Sequence, residues 1–150
     1  MAIDGSPIAR ARVLEIARAW LGTPYHHQAA VRGAGCDCLG LVRGVWRDLY
    51  EAEAETPPPY SPDWGEYGEV EYLLDAAKRH MEPIAIAAAR EGDVLAFRMR
   101  TRCMAKHLAI KSGDWTMIHA QSDDRVREVA LSPYWRRHIV AAFAFPGVEP

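Results

Sequence analysis

Apolar positions in the first half of the chain recur at the spacing of α-helices, in which every third or fourth side chain shares one face. They predict three helices: one from Ser6-Pro7 to Gly22, one that follows Asp37, and one that ends before Pro83. In the second half the period changes, and short runs rich in Val, Ile and Phe predict five strands, at residues 93–99, 107–111, 115–121, 126–131 and 139–145. Helices followed by strands predict an α+β domain, in which an antiparallel sheet packs on the N-terminal helices.

Length and composition predict a single globular domain over residues 1–150, because 49% of the residues are hydrophobic and 25% are charged. The proline-rich segment at 51–68 does not divide the chain. Its aromatic residues, Tyr60, Trp64 and Tyr67, predict an ordered excursion that docks on the domain.

The net charge of −2 and the isoelectric point near 6.3 give no electrostatic reason to expect nucleic acid or an anionic membrane as a partner. The N-terminus lacks the uninterrupted apolar stretch of a signal peptide, and no other stretch approaches the length of a membrane-spanning helix. We therefore expect the chain to be made in the cytoplasm without a classical secretion signal.

The segment Gly35-Cys36-Asp37-Cys38 combines a turn, a helix start and a potential nucleophile. Asp37 is a good N-cap, so Cys38 is predicted in the first turn of the second helix, where Gly40 leaves neighbouring helices room to pack closely. The backbone N–H groups and the positive end of the helix dipole at that position favour a thiolate over a thiol. We therefore predict that Cys38 is a nucleophile whose partner histidines lie elsewhere in the sequence.

Other interpretations of the cysteines stay open at this point. Cys36 and Cys38 also fit small buried hydrophobic residues at a helix start. A metal site would join them to Cys103 and a histidine, but the Cys-x-x-Cys spacing usual for structural zinc is missing, so we predict no metal or other cofactor. The adjacent His26 and His27 are interpreted as polar surface or substrate-contacting groups.

Residues 107–119 predict a β-hairpin that brings two histidines together. Ser112-Gly113-Asp114 is typical of a three-residue hairpin loop. This loop would pair His107 with His119, with their Cβ atoms about 4.5–5.5 Å apart on one face. A two-residue Gly-Asp loop is the alternative, and it would set His119 opposite Leu108. The apolar alternation favours one face with His107, Ala109, Met117 and His119, and the other with Leu108, Ile110, Ile118 and Ala120.

These residues supply the parts of nucleophilic acyl transfer. In this hypothesis Cys38 attacks a carbonyl carbon, His107 takes and returns the proton, and His119 fixes the tautomer and orientation of His107. His80 and His138 have no such constellation around them and are interpreted as surface residues.

Five sequence motifs, spread over most of the chain, together resemble those of a known protein family. The motifs are Leu21-Gly22-Thr23-Pro24-Tyr25, Asp37-Cys38-Leu39-Gly40-Leu41-Val42, Gly92-Asp93-Val94-Leu95-Ala96-Phe97, His107-Leu108-Ala109-Ile110 and Met117-Ile118-His119-Ala120. In this order they resemble the NlpC-type cell-wall peptidases, which are papain-like cysteine hydrolases with a circularly rearranged topology. Gly35-Cys36-Asp37-Cys38 and the segment at 59–64 are most similar to the branch encoded with phage tails and gene transfer agents.

The resemblance implies a papain-like fold and hydrolysis of peptidoglycan stem peptides, typically between D-γ-glutamyl and diaminopimelate residues. For this chain it implies Cys38 as nucleophile, His107 as base and His119 as the third polar residue. It also implies that the Tyr25 hydroxyl helps to stabilise the oxyanion, with the backbone N–H of Cys38 as a further donor. The expected partners are the stem peptide and phage-like tail proteins, and the expected location is a virion or tail that acts in the periplasm.

The chain departs from the family pattern in two places. Leu39 replaces the usual serine after the cysteine, and His26-His27-Gln28 replaces a Trp-Gly-Gly-like segment. We expect these changes to alter the substrate pocket and to leave the chemistry intact. Cys36 stands where the family usually has a bulky apolar residue, which favours its interpretation as a buried side chain.

Two other functions fit the same residues. One is a papain-like amidase or acyltransferase on another acyl substrate, because function depends on the pocket rather than the fold. The other is a non-catalytic tail-tip or peptidoglycan-binding component with a residual triad.

A group of arginines either pairs with stem-peptide carboxylates or forms a solvated strand end and loop; its members are Arg32, Arg98, Arg100 and Arg102.

Overall fold

The computed structural model describes residues 5–59, 72–99 and 107–150. The predictions made for residues 60–68 of the proline-rich excursion, and for Arg100, Arg102 and Cys103, lie outside these residues. Within them, no helix is long and apolar enough to cross a membrane.

The helices confirm the three apolar stripes of the sequence. They are α1 (Arg10–Arg18), α2 (Cys38–Tyr50), α3 (Tyr72–His80) and a short α4 (Pro133–Arg136), with a 3₁₀ turn at Ile86–Ala88. The apolar pattern did not indicate α4, since a helix of four residues is too short to show a stripe.

The first helix starts later than Ser6-Pro7 indicates, because tertiary pairing holds the preceding segment extended. The Ile8 N–H donates to the carbonyl of Gly147 at 2.8 Å, and the Glu149 N–H donates to the carbonyl of Ile8 at 2.9 Å. Helix α1 therefore begins at Arg10. It ends at Arg18 rather than at Gly22, because residues 19–22 continue as turns, in which the Trp20 and Leu21 N–H groups donate to carbonyls three residues earlier.

In the described part of the chain, eight strands form two sheets. They are β1 (Ala30–Val31), β2 (Gly35–Cys36), β3 (Glu82–Ile84), β4 (Val94–Phe97), β5 (His107–Gly113), β6 (Thr116–Ala120), β7 (Val126–Ala130) and β8 (Ile139–Ala144). Strands β1 and β2 make a small hairpin before α2. The other six form an antiparallel sheet in the order β3-β8-β4-β5-β6-β7. This confirms the predicted α+β fold with an antiparallel sheet.

Apolar side chains cover both faces of the large sheet. The larger cluster joins α1, α2 and α3 to the face that carries Leu108, Ile110 and Ile118. The smaller cluster contains Phe97, Ala109 and Met117, together with Trp135 from α4. The predicted division of the β5–β6 hairpin into two faces is therefore confirmed.

The register of that hairpin differs from both predictions. Ile110 pairs with Ile118 and Lys111 with Met117, and a shift then pairs Gly113 with Thr116. Ser112 is the extra residue in β5, so the turn tightens to Asp114 and Trp115. Because the register moves by two residues, every side chain keeps its predicted face, and His107 lies diagonally across from His119 rather than opposite it.

Candidate active site

The start of α2 is fixed by a single carboxylate. Asp37 accepts a hydrogen bond from the Gly40 N–H at Oδ1 (2.7 Å), which confirms the predicted N-cap. Its Oδ2 accepts from the Gln28 N–H at 2.8 Å and so ties the preceding loop to the helix. Asp37 is 2% exposed and Cys38 is 8% exposed, so both side chains are nearly closed to solvent.

Gly40 allows that loop to approach the helix. A Cβ at Gly40 would lie 1.8 Å from the carbonyl oxygen of Ala29, which itself accepts from the Asp37 N–H. The room that sequence analysis assigned to helix packing is provided instead at Gly44, where a Cβ would meet the ring of Trp20 at 1.9 Å. Gly40 thus sets the separation between the nucleophile helix and the loop after Tyr25.

The prediction of a stabilised thiolate is wrong for the resting protein. Burial raises the pKa of the Cys38 thiol to about 12, and the adjacent Asp37 carboxylate adds to this effect. The backbone N–H groups of Leu108 and Leu39 hydrogen-bond to the sulfur and oppose the rise, but burial is the larger influence. Cys38 therefore rests as a neutral thiol.

The two histidines form a hydrogen-bonded pair. Nε2 of His107 lies 2.9 Å from Nδ1 of His119, with the rings perpendicular. His119 is 3% exposed, and burial lowers its pKa, so its neutral form is favoured at neutral pH. A neutral His119 protonated on Nε2 accepts the Nε2–H of His107, which leaves Nδ1 of His107 as the basic nitrogen.

Tyr25 is held against the nucleophile helix by backbone contacts. Its N–H donates to the carbonyl of Asp124 at 2.9 Å, and its backbone forms a parallel bridge with Cys36. Burial raises the pKa of the half-buried Tyr25 to about 12, with smaller contributions from Cys38 and Asp37. Its hydroxyl therefore stays protonated and able to donate.

The four predicted site residues, Tyr25, Cys38, His107 and His119, line one open cavity of about 450 Å³. They meet at the end of the hairpin where β5 begins and β6 ends, beside the start of α2. Further polar side chains in the lining are His27, Gln121 and Ser122, and the apolar ones include Leu39, Met99, Val129 and Trp135. Both departures from the family pattern, His27 and Leu39, thus contribute to the cavity.

Trp135 stacks on His107 and touches His119 edge-on, a site contact that the sequence patterns did not indicate. The signal that predicts its helix is Ser132-Pro133, an N-cap followed by proline at the first helical position. Nothing in the sequence near Trp135 indicates that its ring reaches the histidines, because that contact joins distant parts of the chain.

Three other histidines and Cys36 do not line the cavity. Cys36 is fully buried, which confirms its interpretation as a core residue. His26 is exposed, half-buried His80 contacts the Glu55 carboxylate at 2.6 Å, and Nδ1 of His138 lies 2.6 Å from the carbonyl of Tyr134. Among residues 5–59, 72–99 and 107–150, no group of three or more His, Cys, Asp or Glu side chains is arranged to hold a metal ion.

A helix that begins at a cysteine and packs on an antiparallel sheet bearing two paired histidines is the arrangement of a papain-like protein. The chain belongs to the NlpC/P60 family, whose sequence model matches residues 22–144. That match contains Tyr25, Cys38, His107 and His119.

Individual relatives agree with this assignment. The chain is 28% identical over 124 residues to the murein DD-endopeptidase MepH of Escherichia coli; the alignment covers 81% of this chain but only 41% of MepH. The chain therefore spans about two fifths of that relative's length. The NlpC/p60 domain of the peptidoglycan hydrolase SagA superposes with a TM-score of 0.68 at 19% identity, over 92% of this chain and 100% of that domain. An NlpC/P60 family protein from Bacillus cereus gives 0.67 at 20% identity, over 93% of this chain and 41% of the other.

Proposed function

We propose that this protein is a cysteine endopeptidase that hydrolyses amide bonds in peptidoglycan stem peptides through a triad of Cys38, His107 and His119. The observation that carries the proposal is the 2.9 Å contact between Nε2 of His107 and Nδ1 of His119, in the cavity that Cys38 also lines. A nucleophile, a base and a group that orients the base are the parts that acyl transfer requires. Two relatives are named as a murein endopeptidase and a peptidoglycan hydrolase, which supports this substrate class.

In the first half of the reaction, His107 removes the proton from Cys38. Because Nε2 of His107 is engaged by His119, Nδ1 takes the proton as the sulfur bonds to the carbonyl carbon. The tetrahedral intermediate then collapses: the C–N bond breaks, His107 returns the proton to the departing amine, and a thioester remains.

In the second half, water replaces the amine. His107 takes one proton from the water as its oxygen bonds to the thioester carbon. When the C–S bond breaks, that proton passes to the sulfur, and the free carboxylic acid and the resting thiol are released.

The developing oxyanion requires donors that are already in place. The Tyr25 hydroxyl is one candidate, because burial and the neighbouring Cys38 and Asp37 keep it protonated. The backbone N–H of Cys38, at the first position of α2, is the other.

The proposed scissile bond joins D-γ-glutamyl and diaminopimelate residues, which is the bond that the family resemblance implies. The name of MepH supports a second candidate, a DD-endopeptidase activity. Mass spectrometry of defined muropeptides separates the two. Cleavage at the γ-glutamyl bond shortens the stem to two residues, whereas DD-endopeptidase activity converts cross-linked dimers to monomers with intact stems.

The same experiment tests the broader proposal, with Cys38→Ala as the control. We expect hydrolysis products with the wild type and none with the variant. A product in which an added amine replaces water would indicate an acyltransferase, and intact muropeptides in every reaction would contradict enzymatic function.

We further propose that the protein acts in the periplasm as part of a phage-like tail. The support is in the sequence, in Gly35-Cys36-Asp37-Cys38 and in the segment at 59–64. We expect the tagged protein to co-sediment with tail particles from the producing cells. Its recovery only in fractions without particles would contradict this assignment.

A further inference from the structure

The indole of Trp135 covers one side of the histidine pair. Its ring is nearly parallel to that of His107, at an interplanar angle of 28° and a centroid distance of 5.5 Å. It meets the ring of His119 edge-on, at 74° and 5.3 Å. Trp135 is half-buried and lines the same cavity as Cys38, so it lies where the proposed reaction takes place.

The position of Trp135 is fixed from several directions. Ser132 caps α4 through the Trp135 N–H at 3.5 Å. Before the helix, the Leu131 N–H donates to the carbonyl of Trp115 at 2.7 Å, and after it the Arg98 N–H donates to the carbonyl of His138 at 2.9 Å. These bonds attach both ends of α4 to the sheet, so the indole is presented to the histidines by a fixed support.

Phe97 completes the surroundings of the His107 ring. It lies 5.7 Å from the His107 centroid and 5.4 Å from the Trp135 centroid, and it meets the indole at 75°. Both distances are within the range of favourable aromatic pairs. The imidazole that must keep one nitrogen on His119 and the other available to Cys38 is therefore enclosed by aromatic rings.

We propose that Trp135 is a positioning residue for His107. The stacked indole holds the imidazole in the orientation of its hydrogen bond to His119 and excludes water from that bond. It also stabilises the imidazolium that forms when Cys38 loses its proton. This deepens the proposed function and rests on it for the identity of the base. An aromatic face within about 6 Å of a cation attracts it through the ring quadrupole, and Trp gives the strongest such contact.

The groups that face His107 from other elements set the charge around it. Cys38 comes from α2 and His119 from β6, while Tyr25, His27 and Asp37 line the cavity from the loop before α2. Of these, Asp37 is the carboxylate, and both of its oxygens accept backbone hydrogen bonds. Trp135 adds no charge of its own, so its replacement changes the contact with the His107 ring and leaves the titratable groups of the cavity in place.

The test is the pH dependence of Cys38 alkylation by iodoacetamide, resolved by tandem mass spectrometry, in wild type, Trp135→Leu, Trp135→Phe and Trp115→Leu. Trp115 is the control for a contact with α4 that does not involve the histidines: it is 64% exposed, its ring lies 4.0 Å from the Arg136 guanidinium of α4, and it does not line the cavity. We expect Trp135→Leu to lower the alkylation rate at neutral pH by about 2- to 30-fold, the range that a lost cation–π contact produces. Trp135→Phe should recover part of the rate, and Trp115→Leu should match the wild type.

Alkylation needs no peptidoglycan, so the result is independent of whether the proposed substrate is correct. A changed profile in Trp135→Leu, recovered in part by Trp135→Phe, supports the positioning role even if no muropeptide is cleaved. An unchanged profile in a folded Trp135→Leu, or a Phe variant no better than Leu, overturns it. If circular dichroism shows that the Leu variant does not fold, Trp135→Phe is compared with the wild type instead. An identical pH profile of Cys38 alkylation then overturns the positioning role, and a partly reduced alkylation rate supports it.

Discussion

The two sides of the cavity are held by different kinds of interaction. On the cysteine side, short-range hydrogen bonds fix the start of α2: Asp37 accepts from the N–H groups of Gly40 and Gln28, both within nine residues of it. On the histidine side, the contacts join distant segments, since His107 and His119 lie on neighbouring strands and Trp135 on a helix after the next strand.

This difference indicates which changes each side tolerates. The cysteine side depends on backbone geometry that a side-chain substitution at Cys38 does not disturb. The histidine side depends on the orientation of rings, so in the proposed mechanism a substitution there should lower activity in steps, according to which contact it retains. We therefore expect graded losses of activity from substitutions of the histidines and an all-or-none loss from substitution of Cys38.

The largest effect is expected at the nucleophile. Cys38→Ala should reduce hydrolysis to the rate of the enzyme-free control, because no other group can form the thioester. Cys36→Ala should keep most activity and lose about 1 kcal/mol of stability, since one buried sulfur is removed from the core. Turnover of purified peptidoglycan and urea unfolding measure the two effects, and equal loss of activity in both variants would contradict the assignment of Cys38.

The histidine variants should show a graded series. General acid–base catalysis contributes about 10²–10⁴-fold, so His107→Ala should lose at least that much kcat/KM. His119→Ala should lose less, because the base remains in a less favourable orientation, and His119→Asn should lose least, since its carbonyl oxygen still accepts from Nε2 of His107.

The series is measured on one defined stem peptide, with circular dichroism as the control for folding. If His119→Asn is as inactive as His107→Ala, or if His107→Ala stays active, the roles assigned to the two histidines are exchanged or wrong.

The smallest effect is expected at Asp37, whose charge raises the pKa of the Cys38 thiol. Asp37→Asn keeps a good N-cap but removes the negative charge, so the thiol pKa should fall and the thiolate should be more abundant at a given alkaline pH. In a His107→Ala background, which removes the base, we expect alkylation of Cys38 to become several-fold faster. Asn also loses one of two acceptor oxygens, at a cost of about 1–2 kcal/mol in stability. Slower alkylation, at pH values where circular dichroism shows both proteins folded, would contradict the charge effect.

Features that depend on near neighbours could be predicted from the sequence. The N-cap Asp37, the position of Cys38 at the start of α2, and the division of the β5–β6 hairpin into two faces required only local periodicity and capping. The three long helices and the order of helices before strands followed in the same way.

Features that depend on contacts between distant parts of the chain could not be predicted from the sequence. Ser112 shifts the hairpin register by accommodating an extra residue, and the alternation of apolar residues is the same in both registers. The contact of Trp135 with His107 requires the whole sheet to be folded. The raised pKa of Cys38 has the same origin, because burial by the complete fold exceeds the local effect of the helix terminus.

The proposed dependence of Cys38 on His107 for the loss of its proton is measurable as the pH profile of Cys38 alkylation by iodoacetamide. Burial, with a smaller contribution from the Asp37 carboxylate, raises the thiol pKa to about 12, so the thiolate is scarce until the solution is strongly alkaline. We predict that Cys38 is alkylated faster in the wild type than in His107→Ala near neutral pH, because His107 takes the thiol proton as the sulfur attacks, and that His107→Ala reacts only in the alkaline range. His26→Ala, a change at an exposed histidine, should behave as the wild type does. Identical profiles for the wild type and a folded His107→Ala would contradict the account.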